Sequence, residues 1–147
     1  MTDPATLIDA ARAAAAHAHA PYSRFAVGAA LLMEDGSIVT GTNFENASYG
    51  LSLCAETVAT ATASGAGKLE QIVAVGIVGG RMGEADTDPI RPCGRCRQVL
   101  NEAAQMGGRD LAVHCSGLGG GDIETHRLSD LLPHAFGPGN LGIGGKQ

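Results

Sequence analysis

The sequence predicts an α/β fold in three layers, α/β/α, built on a mixed five-stranded sheet with helices on both faces. Three observations predict it. Apolar residues recur at helical spacing in three segments, five short runs read as strands, and one strand–helix–strand succession demands a parallel pair beside an otherwise antiparallel hairpin. At 147 residues, 44% of them apolar, the chain can build one core and is too short for two ordinary domains. The expected organisation is a single domain over residues 1–137 and a flexible Gly-rich tail over 138–147.

Asp3 can cap a helix that Pro4 begins, and Leu7, Ala11, Ala14 and Ala18 share one face until Pro21 stops it. Val27, Ala29 and Leu31 alternate, Glu34-Asp35-Gly36-Ser37 supplies turn chemistry, and Ile38-Val39-Thr40 returns, so a hairpin is expected there. A second helix runs from Cys54 to Gly65, followed by a buried strand from Ile72 to Val78. A third helix starts at Cys93 or Gly94 and ends before Gly107-Gly108, with Leu111 to Cys115 as the parallel strand after it. Gly117 to Gly121 reads as a turn, since no P-loop Lys-Ser/Thr follows it. A short strand at Ile123 to Thr125 and a short helix around Leu128, Leu131 and Leu132 complete the pattern.

Charge and composition exclude some functions. A net charge of −5 without clustered Lys or Arg argues against nucleic-acid partners. No run approaches the roughly 20 apolar residues of a membrane span, and the first residues lack the pattern of an export signal, so a cytoplasmic protein is expected. In that reducing setting four cysteines are ligands, nucleophiles or buried apolar groups rather than disulfides. Cys115, at a strand end, reads as a buried thiol, and the five histidines show no ligand spacing with the cysteines.

Spacing selects the other three cysteines. Cys54-Ala55-Glu56 and Pro92-Cys93-Gly94-Arg95-Cys96 place all three at expected helix starts, where free N–H groups and the helix dipole favour thiolates. Cys93 and Cys96 share a helix face, so they can grip one Zn²⁺ while Cys54 approaches from the neighbouring helix. A fourth position then remains for water, and Glu56 stands close enough in sequence to move its proton.

These motifs resemble the signature of the zinc nucleoside and nucleobase deaminases. Pro21-Tyr22-Ser23-Arg24-Phe25-Ala26-Val27-Gly28, Asn43-Phe44-Glu45-Asn46-Ala47-Ser48-Tyr49-Gly50 and Leu131-Leu132-Pro133-His134-Ala135-Phe136-Gly137-Pro138 are similar to segments of the small homotetrameric cytidine deaminases. The resemblance implies a cytidine deaminase-like fold and hydrolysis of cytidine and 2′-deoxycytidine to the uridines with release of ammonia, a pyrimidine salvage reaction. It further implies one Zn²⁺ per subunit on Cys54, Cys93 and Cys96, and water activated there attacking C4 while Glu56 shuttles protons. Asn43 and Glu45 would hold the sugar hydroxyls and Phe25 would pack on the pyrimidine. The Ala55 N–H would meet the base carbonyl, and Tyr49 and Phe136 would reach the pockets of neighbouring subunits.

One departure bears on the metal. The family often carries Arg after the Cys-Ala-Glu triplet, whereas this chain has Thr57. Three thiolates on Zn²⁺ sum to −1, so a nearby cation should matter, and Arg95 or Arg97 is expected to supply it. Two other functions fit parts of the pattern: a blasticidin S-type deaminase, which shares the Pro92 to Gln98 run, and an inactive zinc-stabilised binding module. Asn43 and Glu45 oppose the first, and retention of Glu56 with an acidic net charge opposes the second.

Overall fold

The computed structural model describes residues 2–144. Helix α1 spans Pro4–Ala15, capped by Asp3, whose carboxylate accepts the Thr6 N–H at 2.8 Å. Strands β1 (Phe25–Met33) and β2 (Ile38–Thr42) form the expected hairpin around Gly36, whose φ of +85° is the left-handed conformation that favours glycine. Helix α2 covers Ala55–Gly65, β3 Ile72–Arg81, α3 Gly94–Gly107, β4 Ala112–Gly117, β5 Gly120–Arg127 and α4 Leu128–Leu131.

The sheet order is β2-β1-β3-β4-β5, with β3 and β4 parallel and the other pairs antiparallel. The mixed five-stranded sheet is therefore as the periodicity predicts. Its two faces bury different sets of alternating residues. On one, Leu7, Ile8 and Ala11 of α1 pack against Ala30, Leu32, Ala74 and Val78. On the other, Ala55, Ala59 and Ala63 of α2 and Leu100 and Ala103 of α3 cover Leu31, Val75 and Ile77. Helices on both faces make the three layers.

Close approach of the helices depends on two glycines of the hairpin. A Cβ on Gly28 would sit 2.0 Å from the Ala11 carbonyl oxygen of α1, and one on Gly41 would sit 2.5 Å from the Ala59 nitrogen of α2. Each helix lies where only a hydrogen fits beneath it.

Two expectations change. The first helix ends at Ala15, not near Pro21. Residues beyond it turn out because the His19 N–H donates to the Asn43 carbonyl at 3.2 Å and the Glu45 N–H donates to the His19 carbonyl at 2.9 Å, extending the β2 edge. The segment expected as a tail is folded where it is described. Pro138–Leu141 form a 3₁₀ turn, Pro138 is buried, and the Gly139 N–H donates to Gln105 of α3 at 2.9 Å. Residues 145–147 lie outside the described residues.

Among the described residues no helix is long and apolar enough to cross a membrane.

Candidate active site and metal centre

The start of β1 and the ends of β2 and β3 share one edge of the sheet, as Gly28 opposite Thr42 and Phe25 opposite Arg81 show. Ligand clefts of α/β sheets form beyond strand ends such as these. Helices α2 and α3 begin beside that edge. Cys54 is the N-cap of α2, Cys93 is the N-cap of α3, and Cys96 lies in the first turn of α3. The three Sγ atoms all lie within 4.8 Å of one another, with Cys54 and Cys93 3.7 Å apart. Zinc–sulfur bonds of about 2.3 Å in a tetrahedron hold sulfurs about 3.8 Å apart, so this pair already has the required edge length.

The protonation chemistry of the cluster also fits a cation. Burial, then the neighbouring Cys93 thiol, pushes the Cys54 thiol up. Burial and the nearby Glu56 carboxylate push Cys96 up strongly. At Cys93 burial opposes ionisation, but the Cys96 N–H, 3.5 Å from the sulfur, and the adjacent thiols prevail and lower it. Ionisation is eased at Cys93 and opposed at Cys54 and Cys96, so holding all three as thiolates calls for positive charge between them. Three soft sulfurs with that demand suit Zn²⁺.

Glu56 follows Cys54 by two residues in the first turn of α2, and its side chain is 4% exposed. Burial raises its carboxyl above the ordinary value, the direction expected of a group that must accept and return a proton near neutral pH. The site opens on a cavity of about 260 Å³ bordered by Val27, Asn43, Glu45, Ala55, Glu56 and Ile90. A larger cleft of about 420 Å³ lies between α3 and α4, but it contains none of the three sulfurs. Chemistry belongs to the smaller one.

Each polar wall of that cavity is held from outside it. Asn43 donates its amide to the Phe25 carbonyl at 2.8 Å and accepts the Val27 N–H at 3.0 Å, which fixes its plane against β1. Glu45 accepts the Tyr22 and Ser23 N–H groups at 3.0 and 3.1 Å and the Ser23 hydroxyl at 2.5 Å. The Ser23 hydroxyl, foremost, holds the Glu45 carboxyl below its usual range. Ala55 is the first residue of α2, so its N–H has no intrahelical acceptor and is free for a ligand.

Other expected residues lie further off. Phe25 borders an adjoining cleft with Gly79 and Ile90 rather than the cavity itself. Tyr49 is 73% exposed in a second adjoining cleft that shares Glu45 and Ser52 with the cavity. Phe136 is 62% exposed at the end of α3's neighbouring loop, where its carbonyl accepts from Gln98 and Asn101. Within one chain neither Tyr49 nor Phe136 borders the 260 Å³ cavity.

The two arginines bond to backbone carbonyls. The Arg97 guanidinium donates to the Pro92 carbonyl at 2.7 Å and the Leu131 carbonyl at 3.0 Å, clamping the approach to Cys93 against α4. Arg95 reaches the Ser52 carbonyl at 3.5 Å. Among the described residues two side chains beyond the cluster meet the Cys96 sulfur: the Thr57 hydroxyl, whose Oγ1 lies 3.3 Å from Sγ, and the Glu56 carboxyl. Sequence reasoning also missed Val27, Ile90 and Arg91 as cavity walls. Arg91 adjoins the cysteine motif, but only the fold shows that it faces the cavity and pairs with Glu124 at 2.5 Å.

A three-layer α/β scaffold that sets three thiols and one buried carboxyl at facing helix starts defines a zinc–thiolate protein with a ligand cavity over the metal position. Comparison with known proteins names the family. Residues 1–107 match the cytidine and deoxycytidylate deaminase zinc-binding region. The chain is 47% identical over 135 residues to a cytidine deaminase of Halalkalibacterium halodurans, covering 91% of this chain and 94% of that protein. The crystal structure of cytidine deaminase from Burkholderia pseudomallei superposes with a TM-score of 0.79 at 45% identity, covering 92% of this chain and all of that one (100%). That from Mycobacterium tuberculosis gives 0.73 at 42% identity, covering 93% and 99%. The chain belongs to the cytidine and deoxycytidylate deaminase family.

Proposed function

We propose that the protein hydrolyses cytidine and 2′-deoxycytidine to uridine and 2′-deoxyuridine, releasing ammonia, as a step of pyrimidine salvage. The observation that carries this reading is the buried Glu56 carboxyl beside three converging sulfurs, at the floor of a cavity whose rim holds Asn43 and Glu45. Its relatives carry the name cytidine deaminase at 47% identity.

Cys54, Cys93 and Cys96 would hold one Zn²⁺ per subunit, which when bound acidifies a water and presents it to C4 of the base. Glu56 would take one proton from that water and pass it to N3, then take the second from the hydroxyl added at C4 and pass it to the amine, which leaves as ammonia. Its raised carboxyl suits both directions of transfer. The Ala55 N–H, free at the helix start, donates to the base carbonyl. Asn43 and Glu45 accept from and donate to the sugar hydroxyls, held rigid by the β1 backbone and the Tyr22–Ser23 turn. Rigid positioning of a nucleoside is what converts a cavity into a catalyst.

The same reading includes a homotetramer with shared pockets. Tyr22, Phe44, Tyr49 and Leu51 are exposed beside the cavity, and Phe136 is exposed elsewhere on the chain. Docking of copies would cover these side chains and bring an aromatic to a site that a single chain leaves open. All four cysteines are free, which suits a cytoplasmic setting.

The test follows cytidine absorbance and ammonia release together with purified protein. Equal rates of both, with deoxycytidine also consumed, support the proposal. Stable absorbance with zinc-loaded protein would refute it.

A further inference from the structure

We propose that Thr57 is a positioning residue for the metal centre, its hydroxyl donating to the Cys96 thiolate and tempering that sulfur's donation to zinc. The inference rests on the reading of Cys54, Cys93 and Cys96 as zinc ligands and names a residue of this chain that serves them.

Three features carry it. Thr57 Oγ1 lies 3.3 Å from Cys96 Sγ, a hydrogen-bond distance to sulfur. A metal-bound thiolate has no proton, so the hydroxyl must be the donor. The other two bonded threonines of α2 behave differently. Thr60 and Thr62 donate back to the carbonyls of Glu56 and Val58, at 2.7 and 2.8 Å, as threonines in helices commonly do. Thr57 stands in the first turn, where the carbonyl four residues back is that of Leu53, already accepting the Phe44 N–H at 2.9 Å. Its hydroxyl meets Cys96 and makes no hydrogen bond to that carbonyl. Finally, among the described residues neither Arg97, which donates to Pro92 and Leu131, nor Arg95, which reaches Ser52, has a hydrogen bond to a ligand sulfur. Cys96 is fully buried at 0% exposure, so water cannot replace the hydroxyl.

A hydrogen bond to a ligating sulfur withdraws electron density from it and stabilises the thiolate against the thiol. Removing it should weaken zinc binding and leave a more strongly donating sulfur. Thr57→Val keeps the shape and deletes the hydroxyl, Thr57→Ser keeps the hydroxyl, and Thr57→Ala serves if valine impairs folding. Zinc affinity is measured by competition with a chromophoric chelator, and the cobalt-substituted protein reports sulfur donation through its thiolate-to-cobalt charge-transfer band.

Thr57→Val and Thr57→Ala should bind zinc about 10- to 100-fold more weakly and move that band to lower energy. Thr57→Ser should restore both. If the unaltered protein binds zinc tightly and the hydroxyl-free variants match it within twofold with the band unmoved, the role of Thr57 is wrong while the metal site stands. An unaltered protein that binds no zinc overturns the ligand assignment itself.

Discussion

Glu56 concentrates the chemistry because its two demands conflict. A carboxyl that is 4% exposed is costly to ionise, yet the proton transfers need it to change charge within each turnover. Burial raises the carboxyl above its ordinary value, the direction that eases uptake of a proton. Glu56→Gln should lower kcat about 10²- to 10⁴-fold, with zinc content unchanged by atomic absorption. A loss of zinc instead would make Glu56 structural. Glu45 sits at the opposite extreme, its carboxyl lowered by the Ser23 hydroxyl and the Tyr22 and Ser23 N–H groups. A depressed carboxyl stabilises the fold above its ordinary value of about 4.3, and that contribution disappears as pH falls through the lowered one. Carbon-detected NMR should find Glu45 titrating below about 4.3, and Ser23→Ala should move it upward. The three cysteines and Glu56 could be singled out because their identities and spacing are chemical, whereas Asn43 and Glu45 came from the resemblance to the deaminases. Thr57 and Ile90 were not legible, since their contacts cross from one element to another and leave no local pattern.

Helices α2 and α3 deliver the site as rigid bodies, so their seating on the sheet decides sulfur geometry. Helix α2 rests on β2 through Gly41, where an added Cβ would lie 2.5 Å from the Ala59 nitrogen and 2.7 Å from the Ala55 carbonyl oxygen. Both contacts are backbone and cannot swing aside. Gly41→Ala should lift the helix that carries Cys54 and Glu56, cost about 1–3 kcal/mol in chemical denaturation, and lower zinc affinity together with turnover. Unchanged stability and affinity would show that α2 tolerates displacement. The start of α2 was readable from the Ala/Thr/Val stretch that follows Cys54, although cysteine is not a favoured cap and Cys54 makes no side-chain cap bond. The end of α1 was not. Pro21 gave a plausible stop, but the chain leaves the helix at Ala15 and pairs His19 with the Phe44 region. Strand β5 likewise extends over Gly120–Arg127, beyond the apolar Ile123 to Thr125, because an antiparallel partner satisfies backbone whatever the side chains.

At the level of the whole molecule, alternation of apolar residues fixed two buried sheet faces, and the succession β3-α3-β4 fixed the one parallel pair. The proposed assembly belongs to this scale too: light scattering should give a tetramer's mass whose dissociation abolishes turnover. Full activity in a monomer would remove Tyr49 and Phe136 from the site. What unites these scales is the proposal that the cavity's reactivity depends on one ion held by Cys54, Cys93 and Cys96, whose sulfurs converge beside it. The most direct measurement follows loss of cytidine absorbance with protein as purified, after stripping by a strong chelator, and after return of one equivalent of Zn²⁺. Activity should vanish on stripping and return in proportion to bound zinc, reaching its maximum at one ion per chain. Undiminished turnover by verified metal-free protein would contradict the account.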